Sequence, residues 1–162
     1  MKKSTIPTEK KLNVTLLVVR ITVGFIVLAH GVQKLFGWFG GYGFTGTMEF
    51  FTEFIGLPYL LGLAIILAET AGMVSLISGL FTRFISASLI VIMIGAIMTM
   101  HVDNGFYMNW NIESKGEGFE FHLLIIVMTV VTLLFGPGDY SLDQILTRKI
   151  RMKYSNDGMY FI

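Results

Sequence analysis

The chain has 162 residues, 54% of them hydrophobic and only 14% charged, with a net charge of +1 and a mean hydropathy of +0.70. Soluble domains carry about 25% charged residues, so this deficit excludes an ordinary soluble fold and indicates one integral membrane domain. The lack of cysteine excludes disulfides, dithiol exchange, thiolate metal sites and covalently attached haem. The net charge by itself says nothing about nucleic acid, and no nucleic-acid partner is expected.

Residues 1–13 form a polar arm with Lys2, Lys3, Lys10 and Lys11. A basic start before an apolar run is also how a signal peptide begins, but the run is too long and no small-residue cleavage site comes after it. Asn13-Val14-Thr15 matches a glycosylation sequon at the membrane edge and is read as chance. Residues 14–36 form the first expected span, close to the 20 apolar residues or so that a bilayer requires. Arg20, Gly24, Val27, Gly31 and Lys34 keep a 4-3-4-3 rhythm and share one face, with His30 one turn before Lys34. Ionisable groups in hydrocarbon cost about 2.5–3.5 kcal/mol on insertion scales, so this face turns to the bundle interior.

The first loop, 39–56, is rich in glycine and aromatic residues. Its part 47–55 reads as a short interfacial helix, with Met48, Phe51, Phe54 and Ile55 on one side and Gly56 as its stop. We favour a connector here over a substrate lid. The second span is expected at 57–80, with Pro58 in its first turn and a small-residue stripe of Ala68, Gly72, Ser75 and Gly79. Glu69 lies deep in it. The third span, 84–101, comes after the turn Phe81-Thr82-Arg83 and carries Ser88, Gly95 and Thr99 on its small or polar face. Beyond a loop at 102–118, the fourth span, 119–135, opens with Glu120 and His122 and stops at Gly136-Pro137-Gly138. The basic tail, 144–162, contains Arg148, Lys149, Arg151 and Lys153. A short amphipathic helix at 141–153, capped by Ser141, is expected on the membrane surface.

The expected fold is therefore all-α: a four-helix transmembrane bundle over 14–143, with a short helix in its first loop and another at its C-terminus. Lysine and arginine gather in the arm, in the second loop (Arg83) and in the tail. The first and third loops hold Glu49, Glu53, Asp103, Glu113 and Glu117 against Lys115. The positive-inside rule then puts both termini in the cytoplasm. His30, Lys34, His101, Glu120 and His122 come to one depth near the outer surface, while Arg20 and Glu69 lie deeper.

Two constellations emerge. Arg20 and Glu69 are expected to form a buried ion pair, either structural or serving as a proton path. The outer cluster of His30, Gln33, Lys34, His101, Glu120 and His122 admits three readings. One is an ordinary wet bundle end. Another is a zinc, iron or copper site, although the spacing has no compact ligand motif and no metal is assigned. The third is a quinone site. A quinone requires donors on its carbonyls, proton delivery and an apolar slot. Histidine, lysine and glutamine donate, a near-neutral histidine relays protons, and Phe36, Trp38, Phe106 and Trp110 suit a slot. On this reading His30, Lys34, His101 and His122 are the reacting groups, and Gln33, Trp38, Asn104, Phe106 and Glu120 bind the substrate. Met93, Met98, Met100 and Met108 are read as gap-fillers rather than soft-metal ligands.

With these residues in view, the chain resembles the DoxX family of small four-helix membrane proteins. The matching stretches are HGVQKLFGWFGG from His30, Ala68-Glu69, His101 with Asn104-Gly105-Phe106, Gly118-Phe119-Glu120-Phe121, and GPGDYSLD ending at Asp143. The first and last are the specific ones. The third loop has Gly116-Glu117-Gly118-Phe119 where Gly-Gly-Tyr is common, and the basic tail looks like an addition. The resemblance implies a bacterial or archaeal cell membrane and an oxidoreductase activity. A related branch is a subunit of a thiosulfate:quinone oxidoreductase, and others are linked to quinone or thiol-oxidant stress with soluble redox partners. It brings no established catalytic residue set.

Three functions are carried forward. The first is a membrane oxidoreductase, or the membrane subunit of one, binding a quinone non-covalently. The second is a small transporter or permease with Arg20 and Glu69 in its pathway. The third is a non-catalytic anchor for a soluble redox enzyme. The expected partners are the lipid bilayer, a soluble redox protein or second membrane subunit, and a second copy of the chain.

Overall fold

The computed structural model describes residues 8–109 and 116–156, and these contain helices and loops with no strand among them. Lys2, Lys3, Trp110, Glu113 and Lys115 lie outside the described residues. In chain order the helices are α1 (Thr8–Phe36), α2 (Gly43–Glu49, continued by a π turn at Phe50–Phe54), α3 (Tyr59–Ser78), α4 (Thr82–Asn104), α5 (Glu120–Phe135) and α6 (Leu142–Asn156). Helices α1, α3 and α4 are long and apolar enough to cross a membrane, and α5 is a shorter apolar helix. The chain is thus a multi-pass helical membrane protein, as its composition and periodicity predict.

Several boundaries move for local reasons. Helix α1 begins at Thr8, because the lysine-rich arm 8–13 has no breaker and continues the helix. Pro58 stays outside α3 in an extended conformation, with ψ 139°. Helix α4 runs on past His101 to Asn104. Ser141 precedes α6 and accepts the backbone N–H of Gln144 at 3.3 Å.

Around the bundle, α1 packs on α3 and α5, and α4 packs on α5. Lipid tails are as apolar as leucine, so such helices associate through close contact and hydrogen bonds. Val23 and Val27 of α1, Met73 and Leu76 of α3, Leu89 and Met93 of α4 and Ile125 of α5 form the central cluster. Beside it, the hydroxyls of Ser86 and Thr132 meet at 2.8 Å and tie α4 to α5. A second cluster seats Met48 and Phe51 of α2 on Ile66 of α3.

The closest approach is between α1 and α3 at Gly31, where an added Cβ lies 2.1 Å from the backbone oxygen of Glu69. A backbone atom cannot step aside, so Gly31→Ala must push two helices apart. We expect it to cost about 1–3 kcal/mol, as overpacked cores do, seen as a lower thermal midpoint in detergent. Gly95→Ala, whose Cβ meets nothing within 4 Å, serves as the control that leaves the midpoint unchanged.

At the end of the bundle near the termini, Arg20 is fully buried and does not pair with Glu69 as expected. Its guanidinium donates instead to the backbone oxygens of Leu76 (3.3 Å), Ile77 (3.2 Å) and Tyr140 (2.6 Å). The GPGDYSLD stretch wraps this point. Asp143 accepts the N–H groups of Phe81 (2.9 Å) and Thr82 (3.1 Å), which open α4, and its own N–H donates to Gly79 at 2.9 Å. Asn13 donates to the Asp139 carboxylate at 2.7 Å and accepts its backbone N–H at 3.1 Å. This stretch is therefore a clasp that joins α1, α3 and α4, with Arg20 as its centre.

Candidate functional site

At the opposite end, the first and third loops close over a chamber of about 630 Å³. Three of its walls carry a π turn: Phe50–Phe54 after α2, Ala68–Gly72 within α3 and Ile97–His101 within α4. Each π turn inserts one residue, which rotates the downstream side chains by about 100° relative to a regular 3.6-residue helix. Phe50, Phe51, Glu69, Thr99, Met100 and His101 lie within these turns, and all of them line the chamber. Most of the remaining wall is apolar, with Leu57, Leu61 and Ile65 from α3 and Ile92, Met93 and Ala96 from α4.

The polar groups converge on this apolar space. Lys34 of α1 forms an ion pair with Glu69 of α3. Gly31 makes the pair available by letting the Glu69 backbone settle against α1 one turn before Lys34. Glu69 is 2% exposed, so its charge depends on that partner. The His101 and His122 rings stand 4.2 Å apart at 43°. His101 Nδ1 lies 2.8 Å from the backbone oxygen of Glu117. A carbonyl only accepts, so Nδ1 carries the hydrogen of this bond. His122 is buried, and its Nδ1 has no hydrogen-bond partner among the described residues. His30 lies against Phe121, 5.5 Å between ring centres, and also lines the chamber.

The four residues expected to react, His30, Lys34, His101 and His122, thus face one space. The five expected to bind substrate do not line it. Gln33 donates to the Phe39 backbone oxygen at 3.4 Å. Trp38 is 59% exposed and leans on Phe36. Phe106 packs edge-on against Phe119. Asn104 donates to the backbone oxygens of Met100 and Glu117, which fixes the loop that holds His101. Glu120 donates its N–H to Phe106 at 2.9 Å, and Phe119 donates to Gly105 at 3.2 Å. The Asn-Gly-Phe and Gly-Phe-Glu stretches therefore stitch the ends of α4 and α5 together and do not contact the space. Aromatic residues near a membrane edge pack on each other as readily as on a ligand.

Sequence reasoning missed Glu69 as the partner of Lys34, and it missed Tyr42, Thr47, Phe50 and Phe51, through which α2 becomes a wall of the chamber. Leu57, Leu61, Ile65 and Glu69 recur every four residues, a helical stripe that was readable and marks the lining face of α3. Among the described residues no three His, Asp or Glu side chains come together as a metal-ligand set.

A family model described as DoxX matches residues 15–102. Among curated proteins, the chain is 29% identical over 135 residues to the Putative oxidoreductase CatD of Bacillus subtilis (strain 168), covering 83% of this chain and 89% of that protein. No solved structure matches it.

Proposed function

Because the chain belongs to the DoxX family, with a relative named as an oxidoreductase, we propose that it is the quinone-binding membrane part of an oxidoreductase system, acting at the chamber between α1, α3, α4 and α5. The observation that carries this reading is the chemistry of that space. It is an apolar chamber of about 630 Å³, within the 300–1,000 Å³ or so of small-molecule sites, with an ammonium and three histidines on its wall. A bound quinone supplies two-electron redox chemistry, with the electrons coming from a soluble redox protein or a second membrane subunit.

The chain's own groups would do the rest. Lys34 has three N–H donors and commits one to Glu69, leaving the others for a carbonyl oxygen. His122 also lines the chamber, and its imidazole offers a second polar contact. His101, tied to the third loop through Glu117, stands between His122 and the loop and is placed to pass protons. By the distribution of basic residues the chamber faces the outer leaflet of a bacterial or archaeal cell membrane, with both termini inside. A role in quinone or thiol-oxidant stress fits this chemistry. The transporter reading keeps Glu69 alone of its two motivating residues, since Arg20 is locked by three carbonyls and lies outside the chamber.

The test is to purify the protein from native membranes and extract it with solvent. Quinone should accompany the wild type. His122→Ala should lower affinity by about tenfold, the 1.4 kcal/mol or so of one lost hydrogen bond, and His101→Ala, which removes the ring against His122, should lower it less. Wild-type protein without quinone, or equal loading in the variants, would reject the reading.

A further inference from the structure

The chamber has an unusual wall. Helix α3 meets α4 only along its second half, from the Ala68–Gly72 π turn to Ser78. In front of that turn, Tyr59–Leu67 and the facing part of α4 diverge and make little contact. Leu61 and Ile65 edge the gap on one side, and Val91 and Gly95 on the other. Leu61 is 48% exposed and Val91 70% exposed, yet both line the chamber. Residues that belong at once to a cavity wall and to the outer surface mark the rim of an opening. Gly95 is exposed as well, and a Cβ there meets nothing within 4 Å.

This opening lies in the membrane. Gly95 is about 20 Å along α4 from Thr82 at 1.5 Å per residue, within a hydrocarbon layer about 30 Å thick. All four rim side chains are aliphatic or absent, so the gap offers nothing to a hydrated solute. An aliphatic rim suits a hydrocarbon chain, and the same chamber holds the Lys34–Glu69 pair and the histidines.

We propose that α3 and α4 frame a lateral slot through which the ligand enters from the bilayer, and that the bound quinone leaves its isoprenoid tail threaded between Leu61, Ile65, Val91 and Gly95. The proposal rests on the quinone reading for the identity of the head group. The slot itself rests on the helix divergence and the rim. It makes a substrate class specific: a lipid-dissolved quinone with a tail, delivered sideways, with its head group stopped at Lys34.

The experiment uses the full chain in nanodiscs, with menaquinone carrying its full tail and tail-less menadione as probes. Gly95→Trp and, from the opposite rim, Leu61→Trp place bulk in the gap, and Val127→Trp, on the exposed face of α5 away from the chamber, is the control. Each variant is first checked for an unchanged elution profile and thermal midpoint. Either tryptophan should weaken menaquinone binding by at least about tenfold, or 1.4 kcal/mol, while menadione binding stays as in the wild type. Val127→Trp should bind both normally. Menaquinone binding that is unchanged in both tryptophan variants would overturn the slot, and so would equal loss of both probes, since bulk would then occupy the head-group space. A wild type that binds neither probe would instead reject the quinone reading beneath it.

Discussion

Lys34→Met should be the most damaging single change near the chamber, for stability and binding together. Glu69 is nearly inaccessible, and Lys34 is its ion-pair partner. Removing the cation leaves a carboxylate in a low-dielectric interior, and breaking a buried pair in this way costs about 3–5 kcal/mol. The yield of folded protein and its thermal midpoint should both fall. Glu69→Gln should cost less, because the Lys34 side chain is 31% exposed and retains access to the chamber. The double variant Lys34→Met/Glu69→Gln removes both charges and should recover most of the lost stability, so the effects will not add. It should not recover quinone, because the donor is gone. A Lys34→Met protein as stable as the wild type would show that the pair is not the support of this wall.

Arg20 is expected to give the largest loss elsewhere in the molecule. Its side chain is fully buried and serves three carbonyls on two separate segments. Arg20→Met takes this donor from the Ile77 and Tyr140 oxygens and leaves the Leu76 oxygen only the Gly79 N–H, at about 1–3 kcal/mol for each group left without a partner. Arg20→Lys keeps the charge but has no planar fork and should rescue only in part. Gly79→Ala attacks the same point from the other side. Gly79 has φ +74°, and its added Cβ would lie 2.2 Å from Arg20 Nη1 and 2.5 Å from Ser141 Cβ. The left-handed conformation adds about 1–2 kcal/mol for a residue with a side chain. Thermal unfolding in detergent should rank these variants below the wild type. Whatever folded protein remains should load quinone normally, because Arg20 and Lys34 are about 20 Å apart along α1. Normal stability in Arg20→Met would remove the clasp.

These two sites also differ in how far the residues alone reveal them. The spans, the short helix in the first loop and the basic C-terminal helix were all visible as hydrophobic runs, breakers and charge. The gathering of His30, Lys34, His101 and His122 was legible in their common position toward the outer ends of their helices. The pairing of Glu69 was not. Opposite charges deep in neighbouring spans suggested Arg20, but pairing depends on helix register, and register is set by the contact of Gly31 with the Glu69 backbone. That contact is a fact of packing. The π turns were equally hidden, since one inserted residue leaves no local signature in the turns that hold Glu69 and His101. The GPGDYSLD stretch was recognisable as a stop and as a family motif, but its work as a clasp depends on Arg20 and Asn13, more than a hundred residues nearer the N-terminus.

The most direct measurement is to map a photoreactive quinone. The probe would carry its reactive group on the ring, be irradiated with the protein in nanodiscs, and be located by peptide mass spectrometry with and without excess menaquinone. The account predicts competed labelling on chamber residues of α1, α3, α4 and α5, with Lys34→Met abolishing it. Labelling confined to α6 or the outer helix faces, or labelling that menaquinone does not compete, would contradict it.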